Sequence, residues 1–195
     1  MTLVLAGKCE GRKIVCVADS VKYKGLVLFD SFPEHKVRSI GDGICLGMAG
    51  GFVDIEETYR YFAKGVSVGV RRVYKKLVEE RRSNLCFAGT KPSIGGNQYL
   101  FGVVSQDSSE VLVSDESHLD SVEVGLIGYD KIPDEVLNLL RAYDPNATLG
   151  SARRSLVEIL DTAKKLDKSG LPLRGLQVCV LSHEKGFEEL EFIGP

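Results

Sequence analysis

Long apolar runs are missing from this sequence. No stretch approaches the roughly 18–20 apolar residues that a membrane-spanning helix needs. The run Leu3-Val4-Leu5-Ala6 meets Lys8 and Glu10 at once, too short for the core of a signal peptide. Clustered charge of one sign is missing too. The net charge is −2, with basic and acidic residues interleaved, which argues against a nucleic-acid-coating surface. No CxxC pair occurs among the five cysteines, Cys9, Cys16, Cys45, Cys86 and Cys179, and their number is odd. Cys16, Cys45 and Cys179 fall inside β-like apolar runs and read as small buried hydrophobes. The expected compartment is reducing and cytoplasmic. GxGxxG, P-loop, HExxH and GxSxG motifs are all absent. The three histidines, His35, His118 and His183, have no metal-like spacing. No cofactor and no metal site is expected, and nothing marks a Cys-His or Ser-His triad.

What is present suits one globular domain over residues 1–195. Hydrophobic residues make up 44% of the chain and charged residues 27%, the balance of an ordinary folded protein. Thr2–Lys8 and Arg12–Asp19 read as strands around a Cys9-Glu10-Gly11 turn. Gly25–Asp30, His35–Ile40 and Ile44–Ala49 read as further strands. After Gly50-Gly51 the period changes. Ile55, Tyr59 and Phe62 mark one amphipathic helix, and Val66, Val70, Val73, Leu77 and Val78 mark a second. The basic residues of the second helix read as a solvated face. Tyr99–Val104 and Glu110–Ser114 suggest a hairpin, and Ser121–Gly128 one further strand. Pro133 opens a third helix, and Leu149 to about Leu166 forms a fourth. Leu176–Ser182 and Phe187–Ile193 close the chain as strands. Strands interrupted twice by paired helices imply a layered α+β architecture.

Chemistry-bearing residues concentrate in the first fifty positions. Thr2 follows Met1 and heads the first strand. Asp19 ends the second strand, Lys36 opens an alternating segment, and Gly50 stands where a strand passes into a helix. Singly, each has a plain reading: a strand opener, a turn residue, an edge charge and a turn glycine.

Together they resemble the proteasome β-subunit-like family of the N-terminal nucleophile (Ntn) hydrolases. The resemblance rests on Thr2-Leu3-Val4, Ala18-Asp19, Lys36-Val37-Arg38 and Ala49-Gly50-Gly51, in the family's order and near its spacing. One extra residue falls in the Cys9–Lys13 turn and one between Asp19 and Lys36. The element order matches along almost the whole chain, while the sharp motifs are confined to its first quarter. The resemblance implies an α+β, four-layer αββα sandwich. It implies that Thr2 is the nucleophile once Met1 is removed, with Asp19 paired to Lys36, and the Gly50 N–H as oxyanion donor. Ser169, in Asp167-Lys168-Ser169-Gly170, carries over as a supporting residue. By position, Met48, Phe52 and Lys22 are expected to line the substrate pocket.

These residue types permit that chemistry. A threonine hydroxyl needs a base. The free α-amine, with a reference pKa of about 7.7–8.0, can serve as that base. A neighbouring ammonium lowers that pKa further. The expected activity is that of a threonine peptidase or amidase on peptide or protein substrates, or a transpeptidase where an amine replaces water. The chain departs from the family in more than one place: the stretch matching its Gly-Ser-Gly turn, Gly125-Leu126-Ile127-Gly128-Tyr129, carries no serine, and Asp167 stands one position too close in its pattern. The alternative is a non-catalytic, proteasome-like assembly subunit. Both readings imply a homo-oligomer, as a ring or another assembly, and neither implies nucleic acid or a membrane. Phe192-Ile193-Gly194-Pro195 shows no docking code for an ATP-dependent unfoldase.

Overall fold

The computed structural model describes residues 3–20, 23–24, 27–28, 35–50, 55–87, 97–114, 117–129, 131–167 and 175–193. Alternation of apolar residues builds the first sheet. Its strands are β1 (Val4–Cys9), β2 (Lys13–Asp19), β10 (Val124–Ile127), β11 (Leu176–Ser182) and β12 (Gly186–Ile193), in the order β10-β1-β2-β11-β12. The second sheet has the order β5-β6-β7-β8-β9, from β5 (Val37–Gly41), β6 (Ile44–Gly50), β7 (Asn97–Val104), β8 (Ser109–Ser114) and β9 (Leu119–Val122). Every pairing in both is antiparallel. A separate short ladder joins β3 (Tyr23–Lys24) to β4 (Val27–Leu28). The helices are α1 (Ile55–Gly65), α2 (Val70–Phe87), α3 (Asp134–Arg141) and α4 (Leu149–Leu166).

Period-two alternation sorts the strand residues into separate cores. Leu3, Leu5, Val15, Val17, Val178 and Val180 face α4, meeting Ala152, Leu156, Ile159, Leu160 and Ala163. Their neighbours Val4, Ala6, Ile14, Cys16, Ala18, Cys179 and Leu181 face the second sheet, meeting Val37, Cys45, Ala49, Leu100 and Val111. The far face of the second sheet packs Leu46, Tyr99, Phe101 and Leu112 against Tyr59, Phe62, Val73 and Tyr74 of α1 and α2.

The expectation of a four-layer αββα sandwich of the Ntn-hydrolase type is corrected by this architecture. The protein is mostly antiparallel β: two five-stranded sheets, with strand outweighing helix at 42% to 36%. On α4, six side chains are buried, whereas α3 buries Val136 alone.

Smaller expectations also change. The single strand expected over Ser121–Gly128 is two strands in different sheets, β9 beside β8 and β10 beside β1. The chain crosses between the sheets at Glu123, whose carbonyl accepts from the Lys8 N–H at 3.0 Å. Gly125 makes the crossing tight: a Cβ there would stand 2.4 Å from Val113 Cγ2. The second helix starts at Val70 rather than Val66, because Val66–Val68 is a 3-10 turn. Val66 instead packs against Gly41, where a Cβ would stand 2.9 Å from Val66 Cγ1. Arg12 leaves the expected strand for a 3-10 turn over Glu10–Arg12. Of Gly25–Asp30, only Val27 and Leu28 fall within the described residues, and the strand expected from His35 begins at Val37.

Gly47 of β6 brings the sheets together. A Cβ on it would lie 2.6 Å from Val4 Cγ1 and 3.5 Å from Val37 Cγ2. Gly47→Ala is therefore expected to destabilise the fold by about 1–3 kcal/mol through overpacking. The check is urea denaturation, with a lower midpoint and an unchanged slope.

Tyr143 closes the opposite end of β1, donating its hydroxyl to the Lys8 carbonyl at 2.7 Å. Burial holds its phenol well above the ordinary value. A raised acid favours the protonated form in the fold. Its contribution is therefore complete below the unfolded phenol value of about 10 and is lost as pH rises past it. Tyr143→Phe is expected to cost about 1 kcal/mol at neutral pH. It should also flatten part of the stability loss above pH ~10, read from denaturation midpoints across pH.

Candidate functional site

The candidate site is built at the end of the sheets where β1 begins. In β2, Asp19 lies opposite Leu3, the residue after Thr2, and the Asp19 N–H donates to the Leu3 carbonyl at 3.1 Å. Ser20 follows, fully buried, its N–H donating to the Gly175 carbonyl at 3.3 Å. The run of β6 leads to the same end. Cys45 Sγ is 3.7 Å from Cys16 Sγ, and Cys16 pairs with Ala6. Two residues on, Gly47 meets Val4, two residues back along β1. Gly50 therefore ends β6 toward the head of β1. Lys36 arrives there by register, since Val37 pairs with Gly47.

Asp19 continues the face of β2 that carries Val15 and Val17, toward α4. Its carboxylate receives Lys164 Nζ at 2.7 Å, and both side chains are fully buried. The pair is costly to desolvate and depends on its mutual attraction. Asp167 is also buried just beyond α4, its N–H donating to the Lys164 carbonyl at 3.3 Å. The Tyr129 hydroxyl donates to the Ala163 carbonyl. Burial raises the Tyr129 phenol, and the Asp167 carboxylate raises it further. Gln98, whose neighbour in β6 is Ala49, ties this corner to the second sheet. Its side chain accepts from the Gly128 N–H and donates to the Tyr129 carbonyl at 2.9 Å.

Lys36 is 7% exposed. Its N–H donates to Gln177 Oε1 at 2.9 Å, and its carbonyl accepts from the Tyr59 hydroxyl at 2.9 Å. The backbone carrying this ammonium is thus held from the first sheet and from α1.

Asp19, Lys36 and the end of β6 at Gly50 therefore share one end of the molecule. The carboxylate of Asp19 has a partner, Lys164, that sequence reading missed. A signal for it exists: Ala152, Leu156, Leu160 and Lys164 recur every four residues, so Lys164 continues a buried stripe. Gly50, expected in a strand-to-helix turn, is the last residue of β6, in register with Asn97. Met48, expected to line the pocket, packs among the residues that face α1 and α2. Its neighbours Gly47 and Ala49 turn toward the first sheet. Thr2, Lys22, Phe52 and Ser169 lie outside the described residues.

Cysteine chemistry is disfavoured here. Cys16, Cys45 and Cys179 are fully buried in the layer between the sheets. The Cys16 thiol is raised by its hydrogen bond with Cys45 and then by burial, and burial raises Cys179. A raised, buried thiol is a poor nucleophile. Among the described residues, no group of three or more His, Cys, Asp or Glu side chains is arranged to hold a metal ion. No described helix is long and apolar enough to cross a membrane.

Comparison with protein-family models gives no match. Comparison with curated proteins gives none either. The family resemblance accordingly stands on the motif residues themselves.

Removing one member of the Asp19–Lys164 pair leaves a buried charge without its counterpart. Lys164→Met is expected to cost about 3–5 kcal/mol, whereas Asp19→Asn/Lys164→Met recovers a large part of that loss. Chemical denaturation of the single and double variants checks the coupling, and strictly additive losses would refute it.

Proposed function

We propose that this protein is a threonine-type N-terminal nucleophile hydrolase, acting on peptide or amide bonds after removal of Met1. The observation that carries the reading is the convergence of Asp19, Lys36 and the Gly50 end of β6 beside Leu3, the residue that follows Thr2. Such a grouping, with charged side chains at its centre, supplies what a weak hydroxyl nucleophile requires.

In the proposed reaction the Thr2 α-amine takes the hydroxyl proton as Oγ attacks the substrate carbonyl. The Lys36 ammonium lowers the amine pKa by like-charge repulsion, so more of it is neutral at pH 7. The Gly50 N–H receives the charge that develops on the carbonyl oxygen. Collapse of the tetrahedral adduct breaks the C–N bond, and the departing amine takes the proton back from the α-ammonium. An ester on Thr2 remains. Water then attacks that ester, the α-amine again relaying the proton, and releases the acid. An acceptor amine in place of water gives transpeptidation. The ion pair with Lys164 fixes the Asp19 carboxylate in place beside the start of β1. Pocket roles for Met48, Phe52 and Lys22, a supporting role for Ser169, a homo-oligomeric assembly and a cytoplasmic location belong to the same proposal.

One observation favours the second reading, a proteasome-like assembly subunit without activity. The corner at Ile127-Gly128-Tyr129, where the family places a serine, is occupied by backbone held to Gln98.

Two measurements separate the readings. Intact mass of the native protein is expected to show Met1 absent; a population that wholly retains it sinks the hydrolase. An epoxyketone probe is then expected to add covalently to the wild type and not to Thr2→Ala. Labelling that persists in the alanine variant rejects Thr2 as the nucleophile.

A further inference from the structure

A polar side chain stands in the apolar layer between the sheets. Gln177 alternates along β11 with Cys179 and Leu181, both of which face that layer. It is 1% exposed. An amide buried among apolar side chains is costly unless its donors and acceptor are used. Here all are used, and most of them on one short stretch of the opposite sheet. Gln177 Oε1 accepts from the N–H of Lys36 at 2.9 Å and from the N–H of Val37 at 3.0 Å. Its Nε2 donates to the Val37 carbonyl at 2.9 Å. The remaining Nε2 capacity goes outward, to Glu189 Oε2 at 2.9 Å. That carboxylate also meets His35 Nδ1 at 2.8 Å, and the His35 ring stacks on Phe192 with centroids 4.3 Å apart. The amide plane is thus fixed from the solvent side by Glu189, while its inner edge grips residues 36 and 37.

We propose that Gln177 is a positioning residue for Lys36. It sets the backbone from which the Lys36 ammonium projects, and so sets how strongly that ammonium depresses the pKa of the Thr2 amine. The proposal rests on the threonine-hydrolase reading above. A glutamine serving only to pin the sheets together would satisfy any exposed backbone groups of the neighbouring strand. Gln177 instead satisfies both groups of Val37 and the N–H of Lys36 itself, at the point where β5 begins. The Lys36 carbonyl is held separately by Tyr59 from α1. Lys36 is thereby gripped at its N–H by one sheet and at its carbonyl by the helix across the other.

The test compares the wild type with Gln177→Met, which keeps the volume and removes the amide, and Gln177→Glu, which keeps an acceptor oxygen. Hydrogen exchange is read at the Lys36 and Val37 amides, with the Val15 and Val17 amides as the control for an intact fold. The rate of epoxyketone labelling is read as a function of pH. In Gln177→Met the Lys36 and Val37 amides are expected to exchange about tenfold faster or more. Val15 and Val17 should be unchanged. Labelling should slow roughly 10- to 100-fold at neutral pH. The rising limb of the pH–rate curve should move to higher pH, because an amine further from the ammonium keeps a higher pKa. Gln177→Glu keeps the acceptor for the Lys36 and Val37 N–H groups but loses the donor to the Val37 carbonyl and Glu189, so its amide exchange and labelling rate are expected to fall between those of the wild type and Gln177→Met. If Gln177→Met fails to fold, Gln177→Glu carries the test alone: its pH limb must follow its amide protection. A uniform fall in rate at every pH, or faster amide exchange with the limb unmoved, overturns the positioning role while leaving Thr2 as nucleophile. A wild type that the probe never labels overturns the threonine reading itself, and the proposal with it.

Discussion

The close approach of the two sheets is the constraint on which the remaining architecture depends. Sheets packed face to face leave a layer about 10 Å thick for side chains. Within that layer here, glycines stand opposite branched side chains. Gly47 meets Val4, and Gly125 meets Val113. Where a glycine removes a side chain, the opposing valine fills the space at native density. The contact also fixes the longitudinal alignment of β6 on β1. With Cys45 beside Cys16 and Gly47 beside Val4, the end of β6 has only one place to go.

That alignment concentrates the buried polar groups. Along most of both sheets the facing residues are apolar and carry no chemistry. At the head of β1 the pattern changes to Asp19, Ser20, Lys36, Lys164, Asp167 and Gln177, all buried. A fold meets the cost of burying such groups only where each finds partners. Lys164 answers Asp19, Gln177 holds Lys36 and Val37, and Gln98 holds Gly128 and Tyr129. A cluster of this kind adds little to stability compared with apolar packing.

Much of the element map was legible in the chain. The stripe of α4 gave its bounds, and the hairpins β7–β8 and β11–β12 appeared as apolar runs around short turns. The separate sheets of β9 and β10 were not legible. Nothing local distinguishes a strand that continues through Glu123 from one that bends there, because the bend is set by contacts to Lys8 and Val113 in other strands. The site shows the same division. Asp19, Lys36 and Gly50 stood out by residue type and spacing, whereas the side that Met48 takes, toward α1 and α2, was not read, because one step along a strand reverses the face. Lys164 and Gln177 each broke an apolar pattern, at helical and strand periods respectively. Both breaks are visible in the sequence, and neither names its partner.

What the sequence determined by itself is periodicity: which segments alternate, which carry a helical stripe, and that the reactive residue types gather near its start. Those properties are local, set by the two-residue and 3.6-residue repeats of the backbone. Tertiary structure alone decided the pairing of strands into two antiparallel sheets rather than the expected class, and the partners of the buried charges. Those choices join residues far apart in the chain, such as Lys36 and Gln177 at a separation of 141. The free energy of such a contact depends on what else is excluded from water beside it, which no local window of sequence contains.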